Sequence, residues 1–259
     1  MDALFQIENF NDYQFRSSGI GSIIPNAKTG KMTETMKKYI RKCFVEYVTH
    51  QKRQIHSPIF DKGISCEPLS IQLLQDAIFP LSNPKNTLLG NNKERKYNDF
   101  VHGELDVFAR DKVWEIKNAW DKYTFLDATL TDDYEWQIKS YAWIWGVDSG
   151  VLFYTLNNMP KFLLDKEKER LFYNKDYNFE SLFDPNYFAK CAELEKDHNY
   201  DDWKIYERFK MWEVELTEND IEVMENAVIA ARKYMNEILE EEKSRVFKNK
   251  ILCEMALAA

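Results

Sequence analysis

Asp106, Glu115 and Lys117 are the residues of this 259-residue chain whose types and spacing could do chemistry. They lie in HGELDVFARDKVWEIKNAW, residues 102–120. The stretch predicts two short strands joined by a tight polar turn at Arg110-Asp111-Lys112. In residues 104–108 the alternation puts Leu105 and Val107 on one face, Glu104 and Asp106 on the other. In residues 113–117, Trp114 and Ile116 share one face and Glu115 and Lys117 the opposite one, because side chains two apart on a strand point the same way. Pairing the strands can then bring Asp106 close to Glu115 and Lys117. Two carboxylates and an ammonium on one sheet face outline a metal-dependent hydrolytic site. Mg²⁺ takes hard oxygen ligands, and a bound ion can activate water and offset charge on a phosphate. The backbone carbonyl of Ile116 is a further candidate ligand. Lys117 could orient or polarise the attacking water. An exposed strand edge with an ion pair would read the same way without any chemistry.

The surrounding segments must position these groups. Upstream, Arg16-Ser17-Ser18-Gly19-Ile20-Gly21 is a short polar segment. A helix pattern over residues 33–50 follows, with Met36, Ile40, Phe44 and Tyr47/Val48 on one face and Lys37, Lys38, Arg41 and Lys42 on the other. That basic face suits the wall of a DNA channel and equally an ordinary surface helix. Residues 69–79 read as a helix. Pro68 is tolerated in a first turn, which places Glu67 near the helix start. Residues 82–99 read mainly as loop. Downstream, Thr131-Asp132-Asp133 starts a helix that carries Gln137 and Tyr141 on one side and ends at Gly146. Residues 151–156 form a β-rich run. Strand, strand, helix, strand points to an α/β core with a mixed sheet. Residues 161–202 show no clean periodicity. Residues 201–215 fit a helix or a strand. Residues 217–220 look like a cap for a long amphipathic helix to about Phe247.

Composition narrows the classes. A hydrophobic content of 44% with 15% aromatics is ample for a core, which argues against disorder. No run approaches 18 apolar residues, and the N-terminus lacks a basic segment followed by an apolar one. A cytoplasmic protein with no membrane span and no signal peptide is expected. Cys43, Cys66, Cys191 and Cys253 form no CxxC pair, which speaks against zinc or iron–sulfur ligation and for reduced thiols. The net charge of −8 is uneven. Residues 1–60 hold nine Lys/Arg against five Asp/Glu, and residues 131–259 hold 17 against 27. The basic excess lies upstream of the carboxylates, where it could bank a phosphate groove.

Taken in order, Asp106, then Glu115-Ile116-Lys117, resembles the PD-(D/E)xK nuclease superfamily. Gln137-Ile138-Lys139-Ser140-Tyr141 matches the QxxxY motif of RecB-type members. Glu67, four residues after Gly63, looks like the upstream acidic motif of the lambda exonuclease and YqaJ-like viral recombinase branch. The resemblance spans roughly residues 15–156. Leu105 stands where the motif commonly has proline, and the cysteines do not fit the iron–sulfur branch.

The resemblance implies a restriction-endonuclease-like α/β fold, with a central mixed sheet flanked by helices and a C-terminal helical extension. It implies a single nuclease domain over residues 1–259, with the core at about 15–156 and an insert plus the extension at 157–259. It implies one or two Mg²⁺ ions (Mn²⁺ substituting) held by Asp106, Glu115, the Ile116 carbonyl and Glu67. It implies Gln137 and Tyr141 near the site, and Arg16, Ser17 and Ser18 at the DNA 5′ end. The expected activity is a 5′→3′ exonuclease on linear duplex DNA, in a bacterial or phage-infected cell. It would make single-stranded tails for recombination or repair beside a single-strand annealing protein, in some members as a trimer. An endonuclease of the same fold and a non-catalytic DNA-binding module are the alternatives.

Overall fold

The computed structural model describes residues 2–25, 30–53, 57–177 and 179–258. In chain order the elements are α1 (Asp2–Gln6), β1 (Phe15–Arg16), a 3-10 helix (Ser17–Ile23), α2 (Glu34–Thr49), α3 (Pro58–Ile78), β2 (Arg95–Tyr97), β3 (Val101–Glu104), β4 (Val107–Ala109) and β5 (Lys112–Asn118). Then come α4 (Lys122–Asp127), α5 (Asp132–Trp145), β6 (Ser149–Thr155), α6 (Lys161–Phe172), α7 (Pro185–Asp197), β7 (Phe209–Glu215) and α8 (Glu218–Ala258).

The main sheet has the order β4-β5-β6-β7. Its central pair, β5 and β6, is parallel and the outer pairings are antiparallel. A parallel pair needs a crossover, here supplied by α4 and α5. Both faces of the sheet are covered. On one side Ile71, Leu74 and Phe79 meet Trp114, Ile116, Val151 and Phe153. On the other, Ile138, Tyr141, Ala142 and Trp145 of α5 meet Leu105, Val113, Leu152 and Val214. The expected mixed sheet flanked by helices is therefore present. A second, three-stranded sheet has the order β1-β3-β2. The long helix α8 buries Met224, Val228, Ala231, Met235, Ile238 and Leu239 against the N-terminal elements. Lys139 on α5 reaches Asp220 on α8 at 2.9 Å.

Gly150 sits where β6 passes closest to its neighbours. A Cβ there would lie 2.4 Å from Val113 Cγ2 and 2.5 Å from Ile138 Cγ2. Gly150→Ala is expected to destabilise the chain by about 1–3 kcal/mol through overpacking. A urea titration reads this as a lower midpoint with an unchanged slope.

Several elements differ from the sequence expectation. The stretch after His102 is not one hairpin strand. The chain leaves the small sheet at Glu104 and enters the main sheet at Val107, so Leu105 and Val107 face opposite sides. The turn is two residues, Arg110 and Asp111, both with positive φ (51° and 54°), the backbone that two-residue hairpins require. Glu67 and Pro68 lie inside the 21-residue α3, because Pro58 takes the first-turn position instead. Pro68 leaves one carbonyl in the preceding turn without its helical donor. Packing of the apolar side of α3 on β5 offsets that loss. Within the expected loop, Arg95–Tyr97 forms an edge strand. The aperiodic region holds α6 and α7, residues 209–215 form a strand, and α8 runs well past Phe247. No helix among the described residues is long and apolar enough to cross a membrane. Cys43, Cys66 and Cys191 are buried and Cys253 exposed, all four as free thiols.

Candidate active site

A cleft of about 640 Å³ opens between α3, the end of β5 and the start of α5. Glu67, Asp106, Ile116, Lys117 and Gln137 all line it. Asp106 owes its direction to the break between the two sheets. Its carboxylate is free of strand geometry and accepts the Ile116 N–H at 2.7 Å. Its own carbonyl accepts the Asn92 N–H at 2.8 Å. An extended residue points its N–H and carbonyl to the same edge, so the Ile116 carbonyl faces the Asp106 side.

Glu115 is buried. Its Oε1 accepts from Gln137 Nε2 at 2.7 Å and from Lys117 Nζ. Its Oε2 is buried with no protein partner. Burial, reinforced by the Glu115 charge, pushes the Asp106 carboxyl up to about 8. Burial also raises the Glu67 carboxyl, with Glu115 adding to it. Burial opposes the charge on Lys117, but the Glu115 carboxylate outweighs it and holds the amine above its ordinary range. Lys117 is therefore held as a cation beside Glu115 in the metal-free chain.

An orphaned buried carboxylate oxygen beside a second carboxylate held partly protonated is an excess of negative charge that a divalent cation would relieve. Asp106, Glu115 and the Ile116 carbonyl fit such an ion with hard oxygen donors. Glu67 stands apart on the α3 wall, tied to Asn91 Nδ2. Among the described residues, no three His, Cys, Asp or Glu side chains are close enough to hold an ion together.

The other expected residues separate. Gln137 binds Glu115 directly. Tyr141 is buried behind it, with its hydroxyl 3.4 Å from Gln137 Nε2. Its ring packs on Gly103, where a Cβ would come within 2.6 Å of Tyr141 Cε1. Ser17 is fully enclosed and pairs with Ser140 Oγ at 2.9 Å, so it is a packing group. Arg16 lies on the exposed face of β1 and pairs with Glu46 at 3.7 Å. Of the three, Ser18 lines the cleft. The basic face of α2 lies outside it: Arg41 is tied to Tyr234 at 2.9 Å, and Lys37 pairs with Glu34.

Sequence reasoning missed Asn91, and it missed Trp120, Tyr134 and Tyr154, whose rings also line the cleft. Asn91 sits in an Asn-rich loop with no periodicity to mark it. The three aromatics stand in no motif or spacing that distinguishes a cleft-lining residue from a core one.

Behind this wall, Lys62 of α3 is 1% exposed and donates to the Trp120 carbonyl at 2.7 Å. Burial pulls its amine down to about 8. Between that value and the ordinary lysine range the unfolded chain binds the extra proton, so stability rises with pH there. The wild type should gain on the order of 1–3 kcal/mol from this group between pH 8 and 10.5. Lys62→Met should remove that gain when urea midpoints are compared across the interval.

No family model matches the sequence, and no curated protein matches it. Solved structures do match. A phage-related exonuclease from Haemophilus somnus 129PT aligns at a TM-score of 0.67 and 20% identity, covering 89% of this chain and 97% of its own. The alkaline exonuclease LHK-Exo from Laribacter hongkongensis aligns at 0.53 and 11% identity, covering 96% and 99%. Its complex with dAMP aligns at 0.53 and 11%, covering 91% and 94%. The chain has the fold of these exonucleases, the one that the resemblance to the PD-(D/E)xK superfamily implied.

Proposed function

We propose that this chain, built on the fold of phage-related and alkaline exonucleases, is a Mg²⁺-dependent deoxyribonuclease that digests linear duplex DNA from its ends. The observation that carries this reading is that Asp106, Ile116 and Lys117 line one cleft of that fold, with the buried Glu115 carboxylate bonded to Lys117 and Gln137 at its wall. Asp106, Glu115 and the Ile116 carbonyl would hold the metal, with Glu67 completing its surroundings from the α3 wall. A bound Mg²⁺ supplies an acidified water and offsets charge on the phosphate.

The chain's own residues do the rest. Gln137 and Lys117 fix the Glu115 carboxylate, and the Ile116 N–H fixes that of Asp106. Lys117, held charged, faces the phosphate oxygens and stabilises the negative charge that builds up on them. Ser18 can donate a hydrogen bond to a phosphate from the cleft floor, and Arg16 supplies positive charge at the adjoining strand. Tyr141 acts through Gln137 as a positioning residue.

The sequence resemblance adds the finer expectations: 5′→3′ polarity, tails for recombination or repair beside a single-strand annealing protein, a trimeric assembly, one nuclease domain over the whole chain, and action in the cytoplasm of a bacterial or phage-infected cell.

Duplex labelled at either 5′ or 3′ ends, incubated with Mg²⁺ beside a covalently closed circle, tests the reading. Release of the 5′ label first, with the circle spared, is the expected result. Cutting of the circle would make the enzyme an endonuclease. Tight binding of linear duplex with no cleavage would leave a binding module and overturn the proposal.

A further inference from the structure

We infer that Asn91 is the positioning residue of Glu67, and that the loop carrying it ties the two walls of the cleft together and sets Glu67 against the Asp106 corner. The inference rests on the nuclease reading and specifies how that site is made ready for its cation. Asn91 Nδ2 donates to Glu67 Oε1. The next residue, Asn92, gives its backbone N–H to the Asp106 carbonyl at 2.8 Å. Two consecutive residues of one loop thus hold one acid on α3 and another in the break between the sheets.

The loop has a fixed anchor. Gln75, further along α3 and buried, accepts the Leu89 N–H at 2.6 Å and donates to the Thr87 carbonyl at 3.3 Å. Leu89 also packs against the core cluster that includes Leu74 and Phe79. Asn91 lines a separate cavity of about 210 Å³ together with Pro68, Ile71 and Gln75, so its route to the cleft runs through Glu67.

Glu67 needs such a hold. It is half-buried. Burial and the Glu115 charge both act against its carboxylate, while Lys117 and Lys93 favour it. With no cation bound, repulsion by Glu115 drives an untethered glutamate side chain outward, and drawing it back when the ion arrives would cost rotamer freedom. The Asn91 amide makes that ordering part of the fold, as the outer hydrogen bonds of ligating carboxylates do.

Mn²⁺ titration of the full chain without DNA, with the free ion counted by its electron-spin signal, tests this in a double-mutant cycle. Asn91→Ala is expected to weaken Mn²⁺ binding about tenfold, the low end for a group that orients a ligating carboxylate. Glu67→Ala should weaken it too. Adding Asn91→Ala to Glu67→Ala should then change nothing further, because the amide has lost the group it orients. A loop that merely supports the fold would cost the same affinity in both backgrounds, and that result overturns the inference. So does an Asn91→Ala chain that binds Mn²⁺ as the wild type does. A collapsed melt for Asn91→Ala would be answered by Asn91→Leu, which keeps the side-chain volume and removes the amide. Cleavage of linear duplex by the wild type is scored separately. Mn²⁺ binding with this coupling but no cleavage keeps the positioning role and overturns the nuclease reading, and cleavage without the coupling does the reverse.

Discussion

Lys117→Ala and Glu115→Gln each reduce the single-turnover cleavage of linear duplex DNA by on the order of 10²–10³ or more, with the fold retained. The two residues act on one point from different sides. Lys117 is the cation that the Glu115 carboxylate keeps charged, and among the described residues no other Lys or Arg lines the cleft. Its truncation leaves Glu115 Oε1 still bonded to Gln137 Nε2 at 2.7 Å, so the site loses a charge and keeps its shape. Glu115→Gln keeps the volume and an acceptor oxygen but removes the ligand charge a divalent ion requires. The expected readings are lost cleavage in both variants, with a circular dichroism melt near the wild-type midpoint for Glu115→Gln and a lower but still cooperative one for Lys117→Ala, which leaves the buried Glu115 carboxylate without its cation. Full cleavage by either variant would remove Glu115 and Lys117 from the chemistry. A collapsed melt for Lys117→Ala would be answered by Lys117→Met, which keeps the aliphatic stem.

Asp106→Asn is expected to stabilise the metal-free chain while abolishing cleavage. In the wild type two carboxylates share a buried corner, and one oxygen of Glu115 has no partner. Asparagine keeps an oxygen to accept the Ile116 N–H and carries no charge to repel Glu115. Burial beside Glu115 makes the metal-free wild type take up a proton at Asp106 on folding, and escaping that cost should be worth roughly 1–2 kcal/mol, which at about 2–4 °C per kcal/mol raises Tm in chelator by several degrees. Mg²⁺ should reverse the order. It stabilises a chain in proportion to its affinity for the folded state, so the wild type gains from added Mg²⁺ and the variant gains little. A Tm in chelator that falls on substitution, or an equal Mg²⁺ gain in both proteins, would contradict the assignment of Asp106 to a metal-binding corner. An elevated resting energy at Asp106 is the cost of a site prepared for a cation.

Much of the site's frame was legible because it depends on local periods. Glu115 and Lys117 share a face of β5 for the reason that any residues two apart on a strand do. The capped helix from Thr131 to Gly146 followed from end signals and carries Gln137 to Glu115. α6 and α7 were not legible. Their surfaces are mostly polar with short apolar contacts, as at Leu163 and Cys191, and leave no clean stripe. Glu67 was placed at a helix start on the strength of Pro68, but Pro58 had already supplied the first turn and tertiary packing carried the helix through.

The sequence by itself determined which residue types could do the chemistry and which strand face and helix face they occupy, since those follow from backbone geometry within a few residues. Only the tertiary structure decided where they meet. It set Asp106 in a break between two sheets, its carboxylate on the Ile116 N–H. It enclosed Ser17 beneath α5 while leaving Ser18 in the cleft, and it gathered Trp120 from the connection after β5, Tyr134 from α5 and Tyr154 from β6 around the same cleft as Lys117. These placements depend on which distant segments pack together, and side-chain periodicity carries no information about that.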